Sequence, residues 1–117
     1  MSKREQKHRI LYVSPSALDR MALENVFHAT RYEVVSCMNV DHAIAFCIDN
    51  RVSALVLDSV FLTEQDWFAV PTFKSICAGV PILVLADNHH EKIPCGVDAV
   101  AGTPALVLQE LRQFIGD

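Results

Sequence analysis

The chain has 117 residues, of which 51% are hydrophobic and 21% charged, and its formal net charge is −4. This length allows one domain with a real core. The acidic balance argues against direct nucleic-acid binding, which needs a surplus of Lys and Arg. No apolar stretch reaches the roughly 18 to 20 residues that cross a bilayer, and the polar start lacks a signal-peptide segment. We therefore expect one cytoplasmic domain over residues 1–117, with a basic tail at residues 1–8 and no membrane contact.

The four cysteines, Cys37, Cys47, Cys77 and Cys95, show no C-x-x-C spacing. The first three lie in apolar surroundings, which is typical of reduced core residues. We expect neither a disulfide framework nor a zinc site.

The segment from His8 to Val13 is rich in β-branched and aromatic residues and predicts a first strand that ends at Ser14-Pro15. Either Ser14 or Ser16 can cap the helix that follows, from Ala17 to about Thr30. Apolar residues recur there at steps of three and four and predict one buried stripe. Its members are Leu18, Met21, Ala22 and Val26.

The next elements repeat this alternation. A second strand is predicted from Tyr32 to Met38, then a helix capped by Asn39 and running to about Asn50. The apolar residues of that helix are Val40, Ala43, Ile44, Cys47 and Ile48. The run Ala54 to Asp58 predicts a third strand, buried on both faces because its apolar residues are continuous.

The third helix is predicted from about Thr63 to Ala78, with Gly79 supplying the left-handed residue that ends it. Pro71 lies inside this stretch and removes a backbone donor. We expect either a kink there or a regular helix only from Pro71 onward.

Two further strands are predicted, Pro81 to Ala86 and Val97 to Ala101, before a last helix that Pro104 opens. The predicted apolar stripe of this helix is Leu108, Leu111, Phe114 and Ile115. Five strands alternating with helices indicate a doubly wound α/β fold with a parallel sheet, and we expect the strand order 2-1-3-4-5.

Asp58 ends the third strand, and the carboxyl ends of parallel strands are where ligands and chemistry gather in such sheets. It is therefore the first candidate for a functional acid.

The ordered motifs resemble those of the receiver domains of bacterial two-component response regulators, the flavodoxin-like (CheY-like) fold. The resemblance covers Arg9 to Ile115. It rests on Ile10 to Leu23, Tyr32 to Val35, Leu55 to Asp58, Pro81 to Leu85, and Gly96 to Ala99 followed by Pro104.

The resemblance implies that Asp58 occupies the phosphoacceptor position and that Ser14 and Pro15 stand where the family has a pair of magnesium-binding acids. A hard dication needs several oxygen ligands, so we expect weak or absent Mg²⁺ binding and no other cofactor. The family's phosphoryl-binding Ser or Thr aligns with Ala86, its Lys with Thr103, and its aromatic switch residue with Val100. The pocket is thus degenerate, and we expect Asp58 to be inactive.

The connection between Ala86 and Gly96 is shorter than is usual in the family and contains Pro94. We expect helix four to be shortened or missing, and with it part of the family's usual partner surface.

Two side-chain groups have less specific patterns. The polar group Asp87, His89, His90, Glu91 and Cys95 lacks recognised metal-ligand spacing, so we favour a solvated loop. Trp67 and Phe68 are interpreted as packed aromatics rather than a partner anchor.

No glycine-rich phosphate loop and no G-x-S-x-G motif is present. The sequence therefore favours a non-enzymatic pseudo-receiver that binds a protein partner or a C-terminal output domain, or forms a homodimer. Two alternatives stay open. One is a receiver that accepts phosphate on Asp58 from a histidine kinase, with metal ligands such as Asp19 or Asp87, and the other is a small-ligand sensor.

Overall fold

A computed structural model of the chain describes residues 8–59, 69–86 and 95–116. Five strands form one parallel sheet in the order β2-β1-β3-β4-β5, so the predicted order is confirmed. The strands are β1 (His8–Val13), β2 (Tyr32–Cys37), β3 (Ala54–Asp58), β4 (Ile82–Leu85) and β5 (Ala99–Ala101).

Four helices are described alongside the sheet. They are α1 (Ala17–Phe27), α2 (Val40–Asp49), α3 (Ala69–Ile76) and α4 (Pro104–Phe114). Elements β1 and β3 have the predicted bounds, whereas β2 ends one residue early, β4 is one residue shorter at each end, β5 begins two residues late and α1 ends three residues early.

The sheet separates two layers of core, as strand alternation requires. Ile10 and Tyr12 of β1 face one layer with residues of α1 and α4, including Leu23 and Leu111. The intervening residues of the same strand contribute to the other layer, which α2 and α3 cover. The two faces of β1 and β3 are therefore both buried.

Three of the described helices begin with a side-chain cap, and the caps of α1 and α2 were predicted. Ser16, Asn39 and Thr103 each accept a hydrogen bond from the backbone N–H three residues on, at 3.2, 2.8 and 3.2 Å respectively. Such a bond satisfies one of the N–H groups that a helix start leaves unpaired. Of the two predicted caps for α1, Ser16 is the one used.

The predicted buried stripe of α1 is wrong. Leu18 is 77% exposed and Met21 57% exposed, whereas Leu23 and Phe27 are buried. Helix α1 carries apolar residues on more than one side, so periodicity alone could not decide which side meets the sheet. The stripe predicted for α4 is largely confirmed, because Leu111 is buried and Leu108 and Ile115 pack against the same core layer. Phe114 is the exception at 44% exposed, and Val107 is a buried residue that was not predicted.

Helix α3 ends close to the predicted position. Its last residue is Ile76, and Gly79 follows with a φ of 84°, in the left-handed region that glycine adopts at least cost. Pro71 is the third residue of the described helix, which therefore begins before Pro71 and not at it.

Several predictions fall on residues that are not described. They concern the N-terminal tail, the start of the third helix at Thr63, Trp67 and Phe68, the group from Asp87 to Glu91, and the shortened fourth helix. In the β4–β5 connection, the described residues Ala86 and 95–98 are not helical.

Among the described residues, no helix is both long and apolar enough to span a membrane.

Candidate functional site

The candidate site lies at the carboxyl ends of β1 and β3. The register of these parallel strands pairs Val13 with Leu57, so Ser14 and Asp58 are one step beyond the last pair. Both side chains continue the strand face that holds Tyr12 and Val56. The sequence therefore brings a hydroxyl and a carboxylate together at one edge of the sheet.

Ser14 is directly bonded to Asp58. Its Oγ donates to Oδ2 of Asp58 at 2.9 Å, and the same oxygen accepts from the N–H of Ser16 at 3.2 Å. Ser14 is completely buried, whereas Asp58 is half-buried. A hydrogen bond to a carboxylate is about twice as strong as one between neutral groups, so Ser14 ties the end of β3 to the end of β1.

Arg20 holds the same loop from the side of α1. One of its guanidinium nitrogens, Nη1, donates to the carbonyl oxygen of Ser14 at 2.8 Å. Its own N–H bonds to the carbonyl of Ser16 at 3.0 Å, as the first turn of α1 requires. The loop between β1 and α1 is thus fixed through both backbone and side chain.

Tyr12 adds a buried phenol beside this network. Among the described residues its hydroxyl has no hydrogen-bond partner of good geometry, and Ser14 Oγ already donates to Asp58. Burial is the main cause that raises the pKa of Tyr12 to about 12, and the carboxylates of Asp58 and Asp19 raise it as well. The neighbouring Ser14 hydroxyl and Arg20 act in the opposite direction. The phenol therefore stays protonated and neutral.

The other predicted site residues have ordinary surroundings. Pro15 is exposed after β1. Ala86 is 4% exposed, and its N–H bonds to the carbonyl of Ala101 at 2.9 Å, beyond the end of β4. The Thr103 hydroxyl accepts from the N–H of Leu106, so it caps α4. Val100 is 45% exposed on β5.

Tyr12 and Arg20 were not predicted as site residues. Tyr12 looked like an ordinary strand residue and Arg20 like the polar side of a helix. The available signal was the two-residue strand period, which places Tyr12 and Ser14 on one face.

Comparison of the sequence with protein-family models and with curated proteins finds no match. Comparison of the structure with solved structures finds many. A response regulator from Thermotoga maritima superposes with a TM-score of 0.82 at 13% identity, covering 95% of this chain and 99% of that one. The chain has the receiver-domain fold.

Two further neighbours show the same fold. The chemotaxis response regulator CheY4 of Vibrio cholerae has a TM-score of 0.80 at 18% identity, covering 93% of this chain and 99% of its own. The receiver domain of a sensor histidine kinase from Pseudomonas aeruginosa has a TM-score of 0.79 at 18% identity, covering 95% and 99%. That Pseudomonas structure contains a magnesium ion coordinated in its active-site cleft.

Proposed function

We propose that this chain is a pseudo-receiver: a regulatory module of signal transduction that works by binding protein and does not use Asp58 for magnesium-dependent phosphorylation. The observation that carries the proposal is the bond of 2.9 Å from Ser14 Oγ to Asp58 Oδ2. A neutral hydrogen-bond donor stands where receiver domains place an acid. The carboxylate is thereby stabilised by the protein itself and needs no cation.

The described residues do not fit a magnesium ion. Mg²⁺ demands near-octahedral oxygen coordination and is usually held by carboxylates. Within the described ranges, no group of three or more His, Cys, Asp or Glu side chains could hold a metal. Pro15 offers no side-chain ligand, and one oxygen of Asp58 already accepts from Ser14.

The groups that would stabilise a phosphoryl group are also replaced. Ala86 has no hydroxyl, and Thr103 has no positive charge and uses its oxygen to cap α4. Preorganised donors and cations supply most of the stabilisation in phosphoryl transfer. Without them Asp58 is a poor acceptor.

Binding surfaces for a protein partner are available on the described chain. Leu18 and Met21, three residues apart on α1, leave an exposed apolar patch, and Val100 on β5 and Leu106 on α4 are further exposed apolar sites, each 45% exposed. Exposed apolar side chains that cluster mark protein contacts more often than scattered ones do. We propose that an output domain, a partner protein or a second copy contacts one of these patches.

The decisive experiment is incubation with acetyl phosphate and Mg²⁺, followed by intact mass measurement. We expect no phosphoryl adduct, and the Asp58→Asn variant serves as the control. A stoichiometric adduct on the unaltered chain that is absent from the variant would contradict the proposal and support the phosphorylatable alternative. In that alternative Asp19, an exposed residue of α1, or Asp87 would have to supply metal ligands.

Asp58→Asn also has an expected effect on stability. The Asn side-chain oxygen can still accept from Ser14, so the free energy of unfolding should change by less than about 1 kcal/mol. Ser14→Ala removes the buried donor and should cost about 1 to 3 kcal/mol. Urea unfolding of both variants measures this difference. Equal losses of unfolding free energy in Asp58→Asn and Ser14→Ala would contradict the prediction that the Ser14 donor matters more than the charge of Asp58.

A further inference from the structure

Strand β2 is one of the two edges of the described sheet and has β1 as its neighbour. All of its residues, Tyr32–Cys37, are in continuous register with β1, so no bulge interrupts it. It contains one charged residue, Glu33, and neither lysine nor proline. Such residues, bulges and shortness are what usually protect an edge from pairing with another strand. The other edge, β5, has only 3 residues, so β2 is the edge suited to accept a further strand.

The outer side of β2 carries the backbone groups of Val34 and Ser36. The carbonyl oxygen of Cys37 accepts from the N–H of Ser14 at 3.0 Å, so Cys37 directs its backbone groups at β1. Successive residues of a strand direct these groups to alternate sides, so those of Val34 and Ser36 point away from β1. Among the described residues, no group outside β2 forms a hydrogen bond with them. Both residues are only partly buried, so a pairing strand can reach them.

Exposed apolar side chains lie beside this edge. Met38 follows the last residue of β2 and is 57% exposed. Met21 of α1 is also 57% exposed and lies one turn before Glu24, whose carboxylate accepts from Ser36 Oγ at 2.7 Å. A strand laid along β2 would therefore cover apolar surface in addition to pairing backbone groups.

We propose that β2 pairs with β2 of a second copy of this chain, antiparallel and about a twofold axis, so that the two sheets join into one continuous sheet. This contact surface is separate from the exposed sites on α1, β5 and α4. It also goes beyond the proposed function, because it holds whether or not Asp58 accepts phosphate.

The direction of the backbone groups restricts the register of the two β2 strands. Hydrogen-bonded pairs need an outward-pointing residue on each strand. An axis at Val35 satisfies this rule, because it places Val34 opposite Ser36 of the second copy, and each such pair exchanges both of its N–H···O bonds. An axis at Val34 would instead use the N–H of Tyr32, which already donates to Thr30 Oγ1 at 3.1 Å.

The charges of β2 also suit a second copy paired about Val35. Glu33 then lies opposite Cys37 of the second copy, so the two Glu33 carboxylates do not face each other. An axis at Glu33 would place them directly opposite, which is destabilising. A twofold interface needs a surface that is complementary to itself, and the order of residues in β2 provides one.

The first test is the mass of the unaltered chain in solution, by light scattering after size exclusion. Loading it from about 1 μM to about 1 mM covers even a weak dimer. We expect the mass to rise with concentration toward twice the 13.0 kDa of one chain. Ser36→Pro removes an outward N–H and no bond to β1, so it should fold and stay monomeric. Ser36→Ala also loses the bond to Glu24 and is the matched control, which should still dimerise.

The register is tested by a disulfide across the axis. The two Val35 residues would form a non-hydrogen-bonded pair with about 4.5 Å between their Cα atoms, which a disulfide can bridge. In a chain with Cys37→Ser and Cys95→Ser, adding Val35→Cys should give a covalent dimer on mild oxidation. Adding Ile48→Cys instead controls for random collision, because Ile48 is 66% exposed on α2, and it should give far less dimer.

Three outcomes would overturn the proposal. The first is an unaltered chain that stays monomeric at the highest concentration, even if it binds an extended peptide of another protein. The others are a folded Ser36→Pro chain that dimerises as well as Ser36→Ala, and equal cross-linking of Val35→Cys and Ile48→Cys. If Ser36→Pro fails to fold by circular dichroism, the mass of the unaltered chain and the cross-linking still decide. A phosphoryl adduct on Asp58 would contradict the proposed function alone.

Discussion

The residue that joins most of the candidate site together is Ser14, because its hydroxyl and its carbonyl oxygen both take part in hydrogen bonds there. Its hydroxyl donates to Asp58 and accepts from the N–H of Ser16, and Arg20 holds its carbonyl oxygen. Each of these bonds is internal to the protein. The network therefore ties the carboxylate of Asp58 to the loop between β1 and α1.

Tyr12 gives a prediction for the dependence of stability on pH. Its pKa rises from 10.0 to about 12 on folding, mainly through burial. Above pH 10 the unfolded chain loses this proton and the folded chain keeps it, so stability falls as the pH rises from about 10 to 12. Tyr12→Phe should remove this contribution, on the order of 2 kcal/mol, and should cost little at pH 7, where the hydroxyl has no good partner.

Thermal unfolding of the unaltered chain and of Tyr12→Phe between pH 8 and pH 11.5 measures the effect. The difference in stability between the two proteins at each higher pH is compared with their difference at pH 8. Tyr32→Phe is the control, because its hydroxyl donates to the carbonyl of Gly116 and makes a different contact. Parallel pH profiles for the unaltered chain and Tyr12→Phe would contradict the prediction.

Among the elements, helix α1 is the one whose buried side could not be predicted from the sequence. It has two sets of apolar residues, and the set buried against β1 and α4 is Leu23 with Phe27 and part of Val26. The other set, which includes Leu18 and Met21, is exposed. Which side of α1 is buried depends on where α4 packs. That is a long-range contact, and the spacing of apolar residues within α1 does not reveal it.

Paired substitutions on α1 test this assignment. Leu23→Ala empties a fully buried site and should lower the free energy of unfolding by about 2 to 5 kcal/mol. Leu18→Ala, the same chemical change on the exposed side, should stay within about 0.5 kcal/mol. Urea unfolding compares the two directly, and a larger loss for Leu18→Ala would restore the stripe that the sequence predicted.

For the whole molecule, the strands followed from the sequence because buried parallel strands are continuous apolar runs separated by helix-capping residues. Their order was expected from the doubly wound fold type and not from any single run. The positions of Ser14 and Asp58 followed as well, because both end such strands. Their hydrogen bond depends on the register of β1 against β3, which the sequence did not specify. The roles of Tyr12 and Arg20 were missed because each has an ordinary place in its own element.

The core layers determine the fold, whereas the proposed lack of metal binding is attributed to a few residues at the sheet edge. Placing acids at positions 14 and 15 should therefore give metal binding without changing the fold. We expect the double variant Ser14→Asp with Pro15→Asp to fold with the same sheet. Without metal it should be less stable than the unaltered chain at pH 7, because new carboxylates lie beside Asp58 and the Ser14 donor is lost. Mg²⁺ should then bind and raise its midpoint of thermal unfolding.

The unaltered chain, measured in the same Mg²⁺ series, is the matched control and should keep a constant midpoint. The double variant with Asp58→Asn added should respond less than the double variant, because one anionic ligand is gone. Circular dichroism shows whether the variants keep the α/β fold, so that a failure to bind can be separated from a failure to fold. A folded double variant whose midpoint does not change with Mg²⁺ would show that acids at positions 14 and 15 are not enough to give this fold a magnesium site.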